Sequence, residues 1–532
     1  MSAKITIDGR EVEVADGQTV LDGARQLGID IPTLCFLEKC GPMTSCLVCI
    51  VKMKFNGRTS VVPSCGMKAV SGMVIESETD EVRDMRRTAL ELLLSDHVGD
   101  CFAPCHRICP LRLDIPEMLR LVKDSKLPDA MQLVRDTMPL ASITGRLCNK
   151  PCEQGCRRGT WDDSMAIRDI ECIAADAAFG KDYVPSCAVP SGKRVAIIGA
   201  GPTGLAAAWQ LRRDGHACIV IDRRSAPGGS MWTKPKEDAL PRRIVESETL
   251  LLEKMGIHFE SQKELGRDVA LGKLASEFDA VLIAIGESAK TQAAALGLTA
   301  LATGLKVSAT GQTSTENVFA GGAAVRPAAQ VTRAISEGTE AARCINQFLR
   351  GQPIRRSEKS FSSIMGKVGR EEVEIFVRSA AAQTPASSPC GSCGMVKDVD
   401  ASAEASRCLH CDCRAEGNCS LQHYSEMLGA DPGRFRQQRR AFEQHEHPGN
   451  VLYESGKCIL CGICVEIAKQ SAEPLGLTFI GRGFDVRVGA PMNREFEAGL
   501  QEVAVECVEG CPTGAISFRS GKTVSPLPTH QH

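Results

Sequence analysis

Aromatic residues are scarce in this sequence of 532 residues: phenylalanine, tryptophan and tyrosine together make up 4%. Single-stranded nucleic acid binds on aromatic stacking platforms, so this scarcity argues against such a platform. The formal net charge is −2, which leaves no excess of basic residues to attract a polyanion. No run of residues is apolar over the length of a membrane span, and the first ten residues lack the apolar segment of a signal peptide. We therefore expect a cytoplasmic protein with no nucleic-acid partner and no membrane span.

Cysteine, by contrast, is abundant, with 26 residues. Thiols stay reduced in the cytoplasm, so cysteines at short, repeated spacings there indicate metal or cluster sites rather than disulfides. Most of them fall into five groups, separated by long stretches with few cysteines. The length allows about three to five domains. We expect five segments, over residues 1–78, 79–185, 192–352, 353–450 and 451–532.

Residues 1–78 predict a small β-sheet domain with four clustered cysteines. Apolar residues alternate on both sides of the turn Asp8-Gly9, which predicts a hairpin, and a helix is expected over 18–27. The thiols that follow can hold a [2Fe–2S] cluster, with a structural zinc ion as the alternative: Cys35, Cys46, Cys49 and Cys65. Cys40 lies between them but fits no ligand spacing.

The hairpin and helix resemble those of β-grasp ferredoxins. The run Ile-Pro-Thr-Leu-Cys at 31–35, with Cys46 and Cys49 after it, resembles the N-terminus of the large iron–sulfur subunit of complex I and of iron-only hydrogenases. Helical periodicity over 81–94 then leads into His97 and Cys101. The same relatives carry this H-x3-C pattern, and in them the histidine binds a [4Fe–4S] cluster. The resemblance implies His97 as a ligand, against the alternative of a structural histidine.

From Cys101 onward the cysteines resemble those of a different family. The pattern C-x3-C-x3-C-P at 101–110, followed by C-x3-C-x3-C at 148–156, resembles the N-terminal domain of the glutamate synthase small subunit and of dihydropyrimidine dehydrogenase. Those domains hold two [4Fe–4S] clusters, so residues 79–185 are expected to form an α-helical two-cluster domain. The resemblance implies one cluster on Cys101, Cys105 and Cys156, with His97 or a missing cysteine as the fourth ligand. It implies the other on Cys109, Cys148, Cys152 and Glu171.

Residues 192–352 begin with a complete dinucleotide-binding unit. An apolar strand is predicted over 195–198, and Gly199, Gly201 and Gly204 follow it as G-x-G-x-x-G. A helix over 205–213 leads to a second apolar strand, 217–221, which ends at Asp222. The glycines allow a tight turn, close approach to a pyrophosphate and close helix packing, and the acid suits a ribose hydroxyl.

Later motifs in this segment resemble two-dinucleotide-binding flavoproteins, to which the glutamate synthase small subunit belongs. They are Pro-Gly-Gly at 227–229, the apolar strand at 278–286, and the run 315–322 with the helix predicted over 328–349. The resemblance implies FAD in a Rossmann-like domain, with these cofactor-binding residues: Gly199, Gly201, Gly204, Asp222, Arg223, Gly228, Gly229, Gly286, Gly321 and Gly322.

Two departures from that family affect its nucleotide sites. The family inserts a second Rossmann unit for NADPH where this chain has only residues 287–318, about the length of one βαβ unit and without fingerprint glycines. We infer that the nicotinamide domain is deleted. The family's Gly-Gly-Asp reads Gly321-Gly322-Ala323, so the acid that contacts the flavin's ribityl chain is missing. A fold kept as scaffold without flavin is the alternative.

The segment 353–450 is a linker followed by six cysteines within residues 390–419. We favour a [4Fe–4S] cluster on the four that come last: Cys408, Cys411, Cys413 and Cys419. A zinc ion held by two C-x2-C pairs, Cys390 with Cys393 and Cys408 with Cys411, is the alternative.

Residues 451–532 predict a ferredoxin-like domain. C-x2-C-x2-C followed by a distant Cys-Pro indicates one [4Fe–4S] cluster on Cys458, Cys461, Cys464 and Cys511. Cys507 is expected in the core, and a second cluster would need a cysteine near Ala468, where there is none. The arrangement resembles the single cluster of the complex I large subunit.

Together these segments predict a multidomain α/β and α+β protein with FAD, one [2Fe–2S] cluster and three to four [4Fe–4S] clusters. A flavin can exchange electrons in pairs or singly, so it can join a two-electron donor to iron–sulfur centres. We expect an electron-transfer subunit of an oxidoreductase complex. Its partner would be a dehydrogenase, a hydrogenase, a tungsten enzyme or an NAD(P)H-oxidising flavoprotein, and ferredoxin is a further candidate. The alternatives are a self-sufficient NAD(P)H-dependent reductase and a non-catalytic iron–sulfur scaffold.

Overall fold

The computed structural model describes residues 2–179, 181, 183–327, 330–380, 400–447 and 450–519. The chain forms two compact units. Unit 1 comprises Met1–Ala103, Ser360–Phe376 and Cys411–His532, and unit 2 comprises Pro104–Lys359 and Val377–His410. Along the chain, unit 2 is therefore inserted within unit 1. No helix in the described ranges is long and apolar enough to cross a membrane.

The strands of the described residues are short, two to six residues each, and are numbered in chain order. They are β1 Ala3–Ile7, β2 Arg10–Val14, β3 Phe36–Leu37, β4 Gly41–Pro42, β5 Ile50–Phe55, β6 Arg58–Pro63, β7 Val74–Glu76, β8 Arg194–Ile198, β9 Ala217–Ile221, β10 His258–Glu260, β11 Ala280–Ile283, β12 Val318–Ala320, β13 His445–His447, β14 Val451–Tyr453, β15 Thr478–Ile480, β16 Arg487–Gly489 and β17 Ile516–Phe518.

The helices are likewise numbered in chain order. They are α1 Val20–Gln26, α2 Asp80–Ser95, α3 Pro104–Ile108, α4 Ile115–Lys123, α5 Leu127–Thr137, α6 Ala141–Leu147, α7 Pro151–Gln154, α8 Ile167–Asp176, α9 Pro202–Arg213, α10 Arg242–Lys254, α11 Leu271–Glu277, α12 Ala289–Gln292, α13 Val331–Leu349, α14 Arg370–Ser379, α15 Ala401–Ala405, α16 Ser420–Leu428, α17 Ile463–Gln470 and α18 Ala504–Gly510.

The N-terminal part of unit 1 is a five-stranded mixed sheet in the order β2-β1-β7-β5-β6. The predicted hairpin is confirmed: β1 and β2 pair antiparallel, with Ile5 opposite Val12. Helix α1 begins at a capping box, in which the Thr19 side chain accepts the Asp22 N–H and Asp22 accepts the Thr19 N–H. Its buried face packs on the apolar side chains of the sheet, Ile7 among them.

The C-terminal part of unit 1 surrounds a second core. It contains the antiparallel sheet β13-β14-β17 and the hairpin β15-β16. Helix α2, predicted over 81–94, spans Asp80–Ser95 and begins where the Thr79 side chain accepts the Val82 N–H. Leu90 and Leu94 of this helix pack with Tyr453 and Ile463 and with several of the cysteines.

Unit 2 begins with a helical part, whereas the helical domain expected over 79–185 has its first residues, 79–103, in unit 1. Helices α4, α5 and α8 bury Met118, Val134 and Ile170 in one core. A buried ion pair joins this part to α10: Arg135 donates to both carboxylate oxygens of Glu248 at 2.8 Å.

The rest of unit 2 is a Rossmann-like domain, with a five-stranded sheet in the order β10-β9-β8-β11-β12 and every pair parallel. Alternate residues of β8 face two different cores, Val195 and Ile197 one, Ala196 and Ile198 the other. This two-sided burial explains the uninterrupted apolar run in the sequence. Helices α9 and α13 pack together on one face, where a Cβ on Gly338 would lie 2.3 Å from the Thr203 carbonyl oxygen.

Between β11 and β12 the chain has no room for a second nucleotide domain. Residues 287–318 are all described, and before the start of β12 at Val318 they form only the short helix α12, 3-10 turns and loops, with no further strand. The sheet therefore runs directly from β11 to β12.

Candidate functional site

Four buried thiols meet at the edge of the N-terminal sheet of unit 1: Cys35, Cys46, Cys49 and Cys65, called here the Cys35 group. The Cys46 N–H donates to Cys35 Sγ at 3.4 Å, and the sulfur atoms of Cys49 and Cys65 are 3.2 Å apart. Thr44 and Leu47 adopt left-handed backbone angles, which curl the loop around the sulfurs. The sequence grouped these four correctly in space, and Cys40 lies outside the group.

Because these sulfurs lie so close together, the pKa values of two of the thiols are lowered and those of the other two are raised. Hydrogen bonds from the Cys46 and Cys65 thiols lower the pKa of Cys35 to about 2, and the same contacts with Cys35 raise the pKa of both partners. A hydrogen bond from Cys65 lowers the pKa of Cys49 to about 7. The thiolate is the ligand form of cysteine, so this donor set fits a [2Fe–2S] cluster.

In unit 2 a second set, the Cys109 group, consists of Cys109, Cys148, Cys152 and Glu171. Burial raises the pKa of Cys109 to about 11, and the nearby Glu171 carboxylate adds to the rise. Burial and then Glu171, Cys109 and Cys148 raise the pKa of Cys152, which shows that all four are neighbours. Gly145 leaves room beside them, because a Cβ there would lie 3.2 Å from Glu171 Oε1. This is the set that the resemblance implied.

Three more cysteines of unit 2, called here the Cys408 group, are Cys105, Cys156 and Cys408, and they share one core with Cys109 and Cys152. Cys408 belongs to the helical core, and the other two pack against that core. Two buried arginines hold the segment before Cys408 in place: Arg158 donates to the Arg407 carbonyl at 2.7 Å, and Arg407 pairs with Asp162 at 3.2 Å. Burial raises the pKa of Cys156.

A fourth set, the Cys413 group, lies in unit 1 and consists of His97, Cys101, Cys413 and Cys419. The Cys413 N–H donates to the Cys101 carbonyl at 3.1 Å. Burial, and then the charge of Cys413, raises the pKa of Cys101 to about 12. Burial, and then the charges of Cys413 and Cys101, also raises the pKa of Cys419. Main-chain N–H groups donate to two of the sulfurs, that of Ser363 to Cys101 Sγ and that of Gln422 to Cys419 Sγ, each at 3.4 Å.

His97 completes this group with an unsatisfied nitrogen. Its Nδ1 atom is buried and makes no hydrogen bond. Burial, and then the charge of Lys457, lowers the pKa of His97 to about 4, so the imidazole is neutral at ordinary pH. Neutral imidazole is the form that binds metals, so a buried nitrogen that makes no hydrogen bond fits a cluster ligand.

These two sets differ from the grouping expected from sequence. Cys101 was expected with Cys105 and Cys156, and Cys408 with Cys413 and Cys419. The boundaries of the units fall between residues 103 and 104 and between 410 and 411, so cysteines close in sequence belong to different units. Cys411 is the first residue of the last stretch of unit 1. Cys390 and Cys393 lie outside the described residues.

The C-terminal part of unit 1 holds the Cys458 group: Cys458, Cys461, Cys464 and Cys511. They line one common cavity. Leu460 and Gly462 adopt positive φ angles, which turn the loop around that space, and the Leu460 N–H donates to Cys458 Sγ at 3.4 Å. Burial and the other three thiols raise the pKa of Cys464. The cavity and its four sulfur donors fit a [4Fe–4S] cluster.

Cys507 does not line this cavity. Its thiol is fully buried and donates to the Cys464 carbonyl at 3.8 Å, as expected for a core residue. Within the described part of the chain, no three His, Cys, Asp or Glu side chains are arranged to hold a single metal ion. The ligands of a cluster bind separate irons, so they do not converge on one point.

The glycine loop of unit 2 has the geometry that a dinucleotide needs. Gly199 has a φ of 107°, and a Cβ there would lie 2.4 Å from the Ala284 carbonyl oxygen. A Cβ on Gly204 would lie 1.9 Å from the Gly199 oxygen, so only glycine allows α9 to pack this closely. Gly201 has no neighbour within 4 Å of its Cβ position, which leaves open space at the N-terminus of α9. Such a helix end binds phosphate.

Asp222 lies at the end of β9, beside this loop. Its carboxylate accepts the Ala200 N–H at 2.7 Å and the Arg224 N–H at 2.8 Å. A pocket with about 340 Å³ of empty space is lined by Gly199, Asp222 and Arg223. These residues fit the adenosine half of FAD.

The other expected flavin contacts are glycines with left-handed or crowded backbones. A Cβ on Gly229 would lie 2.7 Å from the Gly201 Cα, and one on Gly322 would lie 2.2 Å from Thr203 Oγ1. Gly228, Gly286 and Gly322 have positive φ, whereas Gly321 is extended. Ala323 follows in a 3-10 turn and offers no acid.

Three family models match the chain. Residues 2–80 match a 2Fe-2S iron-sulfur cluster binding domain. Residues 95–183 match the 4Fe-4S cluster domain II of dihydropyrimidine dehydrogenase. Residues 164–338 match the pyridine nucleotide-disulphide oxidoreductases. The chain thus combines iron–sulfur domains with a flavin-binding Rossmann-like oxidoreductase domain in one mixed α/β protein.

Similar curated proteins include subunits of redox enzymes. The NADP(+)-dependent formate dehydrogenase subunit beta of Moorella thermoacetica is 34% identical over 37% of this chain and 31% of its own length. The NADPH-Fe(3+) oxidoreductase subunit beta of Geobacter sulfurreducens is 33% identical over 35% of this chain and 28% of its own. The small chain of NADPH glutamate synthase from Mycobacterium tuberculosis is 36% identical over 36% and 40%. The matches span about a third of each relative's length.

Proposed function

We propose that this chain is the electron-transfer subunit of an oxidoreductase complex, in which a flavin connects iron–sulfur centres to the catalytic centre of a partner. FAD exchanges electrons in pairs or singly, and the clusters carry them singly. The protein's own part is to position these groups, exclude water from them and set their potentials. The identities of the partner and of the terminal electron donor are proposed separately below, because the similar proteins match this chain over only part of their own length.

One observation carries this proposal: the Rossmann-like domain has a single nucleotide site. The chain passes from β11 to β12 through residues 287–318, which contain one short helix and no strand before β12. A second nucleotide needs a βαβ unit of its own, with a glycine turn at a helix N-terminus. With FAD bound here, the described residues of this domain leave no second nucleotide site for a hydride donor. The chain therefore depends on a partner for two-electron chemistry.

We propose five clusters, held by the groups defined above. The Cys35 group would bind a [2Fe–2S] cluster, and the Cys109, Cys408, Cys413 and Cys458 groups would each bind a [4Fe–4S] cluster. The Cys408 group supplies three thiols, all from unit 2. Zinc at residues 390–419 is not part of this proposal, because the zinc site would need Cys408, which is proposed here as a cluster ligand.

The names of similar proteins support a partner of the dehydrogenase type. Two of them are beta subunits, one of a formate dehydrogenase and one of an NADPH-Fe(3+) oxidoreductase. We propose a partner that oxidises formate, hydrogen or NAD(P)H and passes electrons to this chain, with ferredoxin as a candidate acceptor. The many reduced thiols suit the cytoplasm, where disulfides are rare.

The test is the cofactor content of the protein purified without oxygen, together with the subunits that copurify. One [2Fe–2S] and four [4Fe–4S] clusters give about 18 iron atoms and about 18 sulfides per chain. We expect that content, one FAD per chain and a copurifying dehydrogenase or hydrogenase subunit. A protein without flavin, or with about two iron atoms only, would contradict the proposal and favour a scaffold.

A further inference from the structure

Lys457 is a buried cation between two of the proposed cluster sites. Its side chain, with the residue only 3% exposed, places Nζ 3.9 Å from Cys413 Sγ. Lysine is almost never this buried unless its charge is paired. In the sequence it is an ordinary residue before the first cysteine of a C-x2-C run, so nothing there indicates its burial.

The main chain of Lys457 belongs to the neighbouring cluster site. It immediately precedes Cys458, and its carbonyl oxygen accepts a hydrogen bond from Thr513 Oγ1 at 3.0 Å. Thr513 Oγ1 in turn lies 3.7 Å from Cys511 Sγ. The backbone of Lys457 therefore lies beside the Cys458 group, whereas its ammonium lies beside Cys413 of the Cys413 group.

The position of the side chain is enforced by packing. The Val98 N–H donates to the Gly456 carbonyl at 2.7 Å, which joins the loop after α2 to the segment before Cys458. A Cβ on Gly99 would lie 2.8 Å from Lys457 Cε and 3.2 Å from His97 Nε2. The lysine stem thus passes through a gap that a larger residue at 99 would fill, directly beside His97.

Lys457 belongs to a set of buried charged side chains. Glu454, 1% exposed, accepts from Lys457 Nζ with Oε2 at 2.5 Å. Arg414 lies 3.6 Å from the other oxygen, Oε1. Two cations and one anion therefore form one buried set, of which Lys457 Nζ approaches Cys413. The buried carboxylates of Asp100 and Asp412 add negative charge near Cys101 and Cys413. Charges act strongly at such distances when water is excluded.

We propose that Lys457 is a positioning residue whose fixed positive charge raises the reduction potential of the cluster held by the Cys413 group. This inference rests on the ligand set proposed above. Reduction adds one electron to the cluster, and the electron comes from the reductant in solution or from a neighbouring centre. The lysine gains and loses no proton, because its ammonium acts only as a fixed charge that favours the more negative, reduced state. The same charge should affect the Cys458 cluster less, because only the Lys457 backbone belongs to that group.

The experiment is an anaerobic redox titration of the full chain, followed by electron paramagnetic resonance (EPR), for the wild type and for Lys457→Met. A His97→Cys variant identifies the signal of the Cys413 cluster, because only that signal should change its g values. We expect Lys457→Met to lower the equilibrium constant for one-electron reduction of this cluster at least tenfold. This corresponds to a fall of about 59 mV in its reduction potential. Lys469→Met, which removes an exposed lysine of α17 in the same unit, should leave the potential unchanged.

A second variant keeps the inference testable if Lys457→Met loses its cluster. Glu454→Gln removes the anion and should move the potential of the same cluster upward. Unchanged potentials in a fully loaded Lys457→Met protein, or a downward shift in Glu454→Gln, would overturn the role of Lys457. If instead His97→Cys alters no signal, the ligand set fails, and that failure is separate from any result at Lys457.

Discussion

Cys413 donates its main-chain N–H to the carbonyl of Cys101 at 3.1 Å, although the whole of unit 2 lies between them in sequence. This contact brings the H-x3-C pattern at 97–101 next to the C-x5-C pattern at 413–419. In the chain, unit 2 with its Rossmann-like domain thus lies between the two halves of the Cys413 group, His97 and Cys101 before it and Cys413 and Cys419 after it. The insertion accounts for cysteines that fit no contiguous spacing.

The division of residues 408–419 between two clusters can be tested by counting iron. Cys408→Ala and Cys413→Ala should each remove about four iron atoms per chain, because each cysteine serves a different [4Fe–4S] cluster. The double variant should then lose about eight. A loss of only about four in the double variant would mean that both cysteines bind the same cluster. Iron and sulfide analysis of protein purified without oxygen is the measurement.

His97 should be a ligand and not only a core residue. His97→Ala removes the buried imidazole whose Nδ1 has no hydrogen-bond partner, so we expect the loss of about four iron atoms per chain. His97→Cys should keep the iron and change the EPR signal of one cluster. The matched control is His423→Ala, an exposed histidine on α16 of the same unit, which should change neither. Full iron content with an unchanged spectrum in His97→Ala would rule out the ligand role.

Gly201 should matter for flavin binding and not for folding. Its φ is −82°, and a Cβ there would meet no atom within 4 Å, so Gly201→Ala should fold normally. The added methyl group would occupy the space where a pyrophosphate approaches the N-terminus of α9, so the flavin-to-protein ratio should fall several-fold. Gly272→Ala on α11 is the control, because its Cβ site is equally open and it does not line the pocket at Gly199. Equal flavin retention in both variants would argue against this loop as the FAD site.

The buried pair Arg135–Glu248 should stabilise unit 2. Both side chains are only 2% exposed, and Glu248 also accepts the Ser142 N–H at 2.8 Å. Glu248→Ala leaves the arginine charge buried without its partner, which typically costs about 3–5 kcal/mol. Glu246→Ala, at an exposed position of the same helix, should cost about 0.5 kcal/mol or less. The stabilities of the two variants are compared by thermal unfolding, with flavin release as the signal. Similar unfolding midpoints for Glu248→Ala and Glu246→Ala would contradict a stabilising role of the pair.

Local patterns in the sequence predicted several of the elements and the sites whose residues lie close together in the chain. The strand over 217–221 matches β9 residue for residue, and the glycine turn and Asp222 lie within residues 199–222. The Cys35 group lies within residues 35–65 and the Cys458 group within residues 458–511. Such sites follow from spacing, because a turn and its flanking residues fix the geometry together. The assignment of Cys101 and Cys408 could not follow in this way, because their neighbours come from distant parts of the chain. Only the tertiary fold brings Cys101 to Cys413, and no single-sequence spacing records that contact.

The central claim is that this chain needs a partner for two-electron chemistry, and the most direct measurement is anaerobic reduction of the isolated, fully loaded chain by NADH and NADPH. Flavin absorbance and reduction of a viologen dye report the outcome, with dithionite as the positive control. We expect dithionite to reduce the flavin and the clusters, and neither nicotinamide to reduce them or the dye until the copurifying subunit is restored. Sustained dye reduction by NADH or NADPH with the chain alone would contradict this account and favour a self-sufficient reductase.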